Sequence, residues 1–152
     1  MAARKPTLSV LLAALWAATL YATPALALEY RSIAEDAVIL YDAPSLKSNR
    51  LFVAGRHLPV EVVVTLEAWA KVRDSSGELT WVEKKYLSDQ RYVIVTAPAA
   101  QVRAAPDPAS KLLFEAERDV VLEFVEALTG WVRVRHPDGI GGFVKASEVW
   151  GR

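Results

Sequence analysis

The chain has 152 residues with 18 basic and 18 acidic side chains, a formal charge of zero and no cysteine. That balance excludes the basic footprint by which nucleic-acid binders attract phosphates. The lack of cysteine excludes disulfides, cysteine nucleophiles and thiolate metal sites, so a small extracellular domain would need its stability from packing alone.

Met1-Ala2-Ala3-Arg4-Lys5 supplies a basic start, and Leu8 to Ala22 is an apolar stretch without a charge. Pro24 breaks it, and Ala25-Leu26-Ala27 has the small-x-small pattern of a cleavage site. Residues 1–27 are therefore expected to be a secretory signal peptide cut after Ala27. The run is shorter than the roughly 20 residues of a spanning helix, which argues against stable membrane insertion. The remainder is expected to be periplasmic or secreted. With Arg4 and Lys5 removed, it carries two more acidic than basic residues.

From Leu28 onward the chain contains one unit twice. At a shift of 62, Ala43-Pro44 lands on Ala105-Pro106, Trp69 on Trp131, Val72-Arg73 on Val134-Arg135 and Gly77 on Gly139. A period of this length fixes the architecture before any motif is weighed. The expected units are residues 28–89 and 90–152, with no flexible spacer between them.

Tyr30 to Ile33 and Arg91 to Val95 read as opening strands. In the second unit Ala100 to Arg103 is followed by the turn Ala105-Pro106-Asp107-Pro108, and then by the short apolar piece Leu112-Leu113-Phe114. Val120 to Leu128 has a composition that a helix tolerates. Its counterpart Val60-Glu61-Val62-Val63-Val64-Thr65 is β-branched and suits a pleated strand, so both segments are expected to be strands. Trp69 to Arg73 and Trp131 to Arg135 open hairpins that turn at Ser75-Ser76-Gly77 and at Pro137-Asp138-Gly139. They return through Thr80 to Glu83 and Gly142 to Lys145. Lys84 to Leu87 and Ala146 to Val149 each read as a single helical turn. About five short strands per unit, punctuated by turns, predict a small antiparallel barrel.

Val102-Arg103-Ala104-Ala105-Pro106, then Gly130-Trp131-Val132-Arg133-Val134-Arg135, then Gly142-Phe143-Val144 resembles the bacterial SH3-like domain family. That family's pattern is a V-R-x-x-P opening, a G-W-x-x-V strand and a closing G-W-V. Phe143 stands for the usual Trp. The first unit is a degraded copy, keeping Ala43-Pro44, Ala68-Trp69 and Thr80-Trp81-Val82. The resemblance implies an all-β fold of two tandem small SH3-like antiparallel barrels after an N-terminal signal peptide. It further implies a non-catalytic module that binds cell-wall peptidoglycan, or else an envelope protein. Leu40-Tyr41-Asp42 also resembles the opening of eukaryotic SH3 domains that bind proline-rich helices. It has no equivalent in the second unit, so that recognition is not expected.

The residues themselves offer no catalytic set. His57 and His136 occupy non-equivalent places beside predicted turns and are expected to be solvated. Glu61 and Glu123 alternate with apolar neighbours, which places them on the outer face of a strand, solvated or paired with Arg or Lys. No cofactor or metal is expected.

The period of two puts Val132 and Val134 on one face and Trp131, Arg133 and Arg135 on the other. The first unit repeats this with Trp69, Lys71 and Arg73. A Trp outside the core can roof a barrel edge, form a seam between the units, or stack on a sugar or peptide. The candidate ligand-binding residues are accordingly Trp69, Arg73, Trp131, Arg133 and Arg135, with Trp81 and Phe143 as further platforms. Trp150 and Tyr86 are expected to close the barrel ends, and the protein is expected to be a monomer.

Overall fold

The computed structural model describes residues 28–152, so the expected signal segment lies outside it. The first repeat runs β1 (Glu29–Ile33), β2 (Val38–Tyr41), β3 (Arg50–Ala54), β4 (Pro59–Thr65), β5 (Trp69–Arg73) and β6 (Leu79–Glu83), a 3-10 turn (Lys84–Tyr86), then β7 (Leu87–Ser88). The second runs β8 (Tyr92–Val95), β9 (Ala99–Arg103), β10 (Leu112–Glu117), β11 (Val121–Leu128), β12 (Trp131–Arg135) and β13 (Gly141–Lys145), a 3-10 turn (Ala146–Glu148), then β14 (Val149–Trp150). Each repeat forms its own antiparallel sheet, in the orders β3-β2-β6-β5-β4-β1-β7 and β10-β9-β13-β12-β11-β8-β14.

The expected all-β architecture of two tandem SH3-like units is thus present, with seven strands per unit rather than about five. The opening strands fall where expected; the strand not expected is the two-residue piece after each 3-10 turn, and it includes Leu87 and Val149, which the sequence reading assigns to the helical turns. Leu87 pairs with Ile33, and Val149 with Val95, closing each sheet beside its first strand.

Val121–Leu128 is a strand, as its β-branched counterpart required. Both long strands carry an irregularity at the same place, between Val62 and Val64 and between Phe124 and Glu126. Before it, Val60 and Leu122 are fully buried; beyond it, Val64 and Leu128 lie in the open. An extra residue in one strand bends it and re-aims its side chains, so one strand serves the interior at one end and the surface at the other. The hairpin turns fall where expected. Gly77 and Gly139 take φ of 92° and 93°, a left-handed backbone that glycine accepts without steric cost.

Two separate interiors result. Ile33, Val38, Leu40, Val60, Val72 and Val82 fill the first, and Val93, Val95, Val102, Leu122, Val132, Val134 and Val144 the second. Alternation turns Ala70 and Val72 inward along β5 and Val132 and Val134 inward along β12.

The repeats meet along β4 and β8. All four residues of β8 are buried, with Val93 and Val95 in the second interior while Tyr92 stacks on His57 of the first repeat. Trp150 meets Tyr30 edge-on at 5.2 Å, and the Ser32 hydroxyl donates to the Gln90 carbonyl at 2.6 Å. Trp150 therefore belongs to the seam between repeats rather than to a barrel end. Tyr86 packs against the first interior. Among the described residues no helix is long and apolar enough to cross a membrane.

Candidate functional site

In the first repeat the outward face of β5 and β6 carries an aromatic cluster. Trp69 is half-buried and meets Tyr41 edge-on, with ring centroids 5.5 Å apart and an interplanar angle of 87°. Tyr41 is buried beneath it and pairs across β2 and β6 with Trp81. Lys71, opposite Trp81 in the ladder, sets its ammonium 5.9 Å from the Trp81 ring, a weak cation–π arrangement at an exposed site. Glu83 faces Trp69 across the strand pair. Beside this cluster lies a shallow cleft of about 130 Å³ lined by Glu35, Asp36, Tyr41, Glu83 and Tyr86 among others. The face thus combines flat rings with carboxylates, a chemistry suited to ring stacking and to ammonium groups.

The second repeat presents a differently charged version. Trp131 and Phe143 are half-buried, and Arg133 lies 5.9 Å from the Phe143 ring. The position of Tyr41 is taken by Arg103, which pairs with Phe143 across β9 and β13. The Arg103 guanidinium donates to the Ser110 carbonyl at 2.7 Å and to the Gln101 side chain at 2.5 Å. An aromatic under-layer in one repeat is therefore a cationic one in the other. The second face suits carboxylates.

The three candidate arginines already hold intramolecular acids. Arg73 reaches both carboxylate oxygens of Glu61, at 3.0 and 3.3 Å. Arg135 reaches Glu123 at 3.4 Å, and Arg133 reaches Glu126 at 3.5 Å. Glu61 is buried rather than solvated, its carboxylate held by Arg73 from the neighbouring strand.

The structure thus divides the predicted residues into four places: Trp69 with Trp81, Trp131 with Arg133 and Phe143, and Arg73 and Arg135 each bound to its own glutamate at the other end of its strand. Arg73 and Trp69 are four residues apart on one strand, about 13 Å at the usual rise.

Two placements were not expected from sequence. Tyr41, part of the Leu40-Tyr41-Asp42 signature, supports Trp69; its residue type at that spot was the available signal. The histidines are not independent solvated turn residues. His57 stacks on Tyr92 at 4.2 Å with 10° between planes, and His136 lines the same cleft between the repeats. Among the described residues no group of three or more His, Cys, Asp or Glu could hold a metal ion.

Comparison with known proteins follows the duplication. The family model described as bacterial SH3 domain matches residues 34–89 and again 96–151. No curated protein matches the chain. Among solved structures it is similar to NlpC2 from Trichomonas vaginalis, at 14% identity and a TM-score of 0.39, over 82% of this chain and 48% of that one. NlpC1 from the same organism is 11% identical with a TM-score of 0.40, over 86% and 48%. An NlpC/P60 family protein from Bacillus cereus ATCC 10987 is 19% identical with a TM-score of 0.35, over 80% and 56%. The chain spans about half the length of these proteins.

Proposed function

The chain belongs to the bacterial SH3 domain family, and from this we propose that it is a non-catalytic binding protein of the cell envelope whose ligand is peptidoglycan. The observation that carries the reading is the outward, half-buried pair Trp69 and Trp131, repeated in both units on the face opposite the valine interior. Rings in this position can stack on sugar or peptide. In the first repeat Trp81 extends the platform; in the second, Phe143 and Arg133 do. Arg73 and Arg135, held by Glu61 and Glu123 at the other end of their strands, lie outside the platform.

Murein offers sugar rings, carboxylates and free amines along one repeating polymer. The acidic surround of Trp69 suits the amines, and the basic surround of Trp131 suits the carboxylates. One exposed aromatic or cation–π contact is worth only about 0.5–1 kcal/mol, so each module alone binds weakly. Two modules on one chain gain by effective concentration when the target repeats.

Co-sedimentation with purified sacculi tests this at low salt. The protein is expected in the pellet, and a Trp69→Ala, Trp131→Ala double variant with unchanged circular dichroism is expected to leave at least most of it in the supernatant. Wild-type protein remaining in the supernatant sinks the peptidoglycan reading and leaves docking on an envelope protein. A folded double variant that still sediments sinks the assignment of the two tryptophans.

A further inference from the structure

Between the repeats lies a cleft of about 470 Å³, lined by Arg56 and His57 from the β3–β4 turn and by Tyr92, Val121, Glu123, Arg135, His136 and Pro137. It is remote from the stacking faces, and its chemistry is different. The chain has only two histidines, and both line it. Two guanidinium groups and one carboxylate, that of Glu123, line it, and Asp36 lies beside Arg56 outside the lining. We propose that this cleft binds an oxyanion, held between Arg56 of the first repeat and Arg135 of the second.

The repeat itself supplies the control. Arg73 and Glu61 are the first-repeat copies of Arg135 and Glu123, on equivalent strands. Arg73 is bound by two carboxylate oxygens, and the Glu61 side chain is only 11% exposed. In the second repeat the same pair is slack: a single contact at 3.4 Å, with Arg135 53% exposed and Glu123 30% exposed. A guanidinium fork that is only half engaged has donors left for an incoming carboxylate or phosphate. Arg56 is comparably free, touching Asp36 at 3.5 Å, and Asp36 itself is 81% exposed.

His57 takes φ of 70° at a turn that both repeats share: Asp119 takes 68°, and its N–H donates to the Val95 carbonyl as that of His57 donates to Ile33. What differs is the side chain, whose ring lies flat on Tyr92 at 4.2 Å and forms one wall of the cleft. On the opposite side His136 is fixed by Asp138 at 2.9 Å and by the edge of Phe114. Glu123 is the internal competitor for Arg135, which makes its removal a test of opposite sign.

The two imidazoles give the readout, since their ring C–H resonances are the only ones in the chain and a His136→Gln variant assigns both. The purified protein is titrated with inorganic phosphate and, separately, with N-acetylglycine, against chloride at matched ionic strength. Saturable shifts of both imidazole signals are expected at millimolar concentration. Saturation by phosphate alone assigns the site to phosphate esters; saturation by N-acetylglycine assigns it to carboxylates. Arg135→Gln should weaken binding about fivefold or more, and Glu123→Gln should tighten it about threefold, as expected when a charge-assisted partner is removed or released. If Arg135→Gln does not fold, Arg56→Gln must show the same loss. Shifts that do not saturate, or that persist unchanged in the arginine variants, overturn the proposal.

Discussion

At Gly142 two strands of the second repeat cross in close contact. A Cβ placed there would lie 2.6 Å from Val102 Cγ1 and 2.8 Å from the Arg103 carbonyl oxygen, and that oxygen belongs to a ladder strand that cannot retreat. The glycine of the closing G-F-V is thus required by the crossing of β13 on β9 rather than by any ligand. The first repeat holds Thr80 at the equivalent place, buried, with Tyr41 and Trp81 paired alongside. The two crossings are therefore built to different spacings, and the side chains outside them differ accordingly. Gly142→Ala is expected to destabilise the protein by about 1–3 kcal/mol, as overpacking of a filled interior does. Urea unfolding monitored by circular dichroism measures this, and an unchanged midpoint would show that β9 yields.

The long strands β4 and β11 show what a sequence can and cannot reveal. Their conformation was legible because the valine run of one copy removed the helical ambiguity of the other. Their irregularity was not, since Val62, Val63 and Val64 are chemically identical and nothing marks which of them is the extra residue. The turns at Gly77 and Gly139 were legible because local backbone chemistry decides them. The inward valines of β5 and β12 were legible because a period of two leaves them no alternative. The seam cleft was not. His57 and His136 come together only through the docking of two units, which no local pattern encodes.

The same strands carry the paired carboxylates, and here equivalence in sequence does not mean equivalence in energy. Glu61 sits in a less hydrated place, and its two contacts to Arg73 satisfy the charge; Glu123 is partly solvated, with one contact to Arg135 and a long one from the Gln90 amide at 3.5 Å. Glu61→Gln should cost about 1–3 kcal/mol, because it strands a charge-assisted donor in a partly desolvated site. Glu123→Gln should cost about 0–1 kcal/mol, in the range of exposed pairs. Parallel urea titrations of the two variants check the order, and equal losses would mean that the seam does not shield Glu61.

At the scale of the whole molecule, two small interiors without disulfides are stabilised by being joined. The seam is aromatic and cationic. The Arg91 guanidinium lies 4.0 Å from the Phe124 ring and 5.7 Å from that of Tyr30, and it donates to the Gly151 carbonyl at 3.2 Å. Its Nε is buried without a hydrogen-bond partner, and burial lowers its pKa from the ordinary arginine value. Gly151 takes φ of 102°, and a Cβ there would meet the Tyr92 carbonyl oxygen at 2.8 Å and Pro59 at 3.0 Å, so the last turn of the chain is pressed against the first repeat.

Tyr30 and Tyr92 occupy equivalent places on the two opening strands, each opposite a glutamate in the ladder. Burial first, and then the facing carboxylate, raises both phenols above their ordinary value of 10.0. A raised phenol keeps its proton in the folded protein while the unfolded chain loses it. The stability this supplies is full below pH 10 and is lost as pH climbs from there through the folded values. Unfolding free energy measured by urea at intervals from pH 9 to 11.5 is therefore expected to fall steeply above pH 10. A Tyr30→Phe, Tyr92→Phe double variant, which keeps the rings but has no proton to lose, should show a shallower fall over the same interval. A variant that follows the wild-type curve would place the alkaline loss elsewhere and remove these two rings from the account of how the repeats hold together.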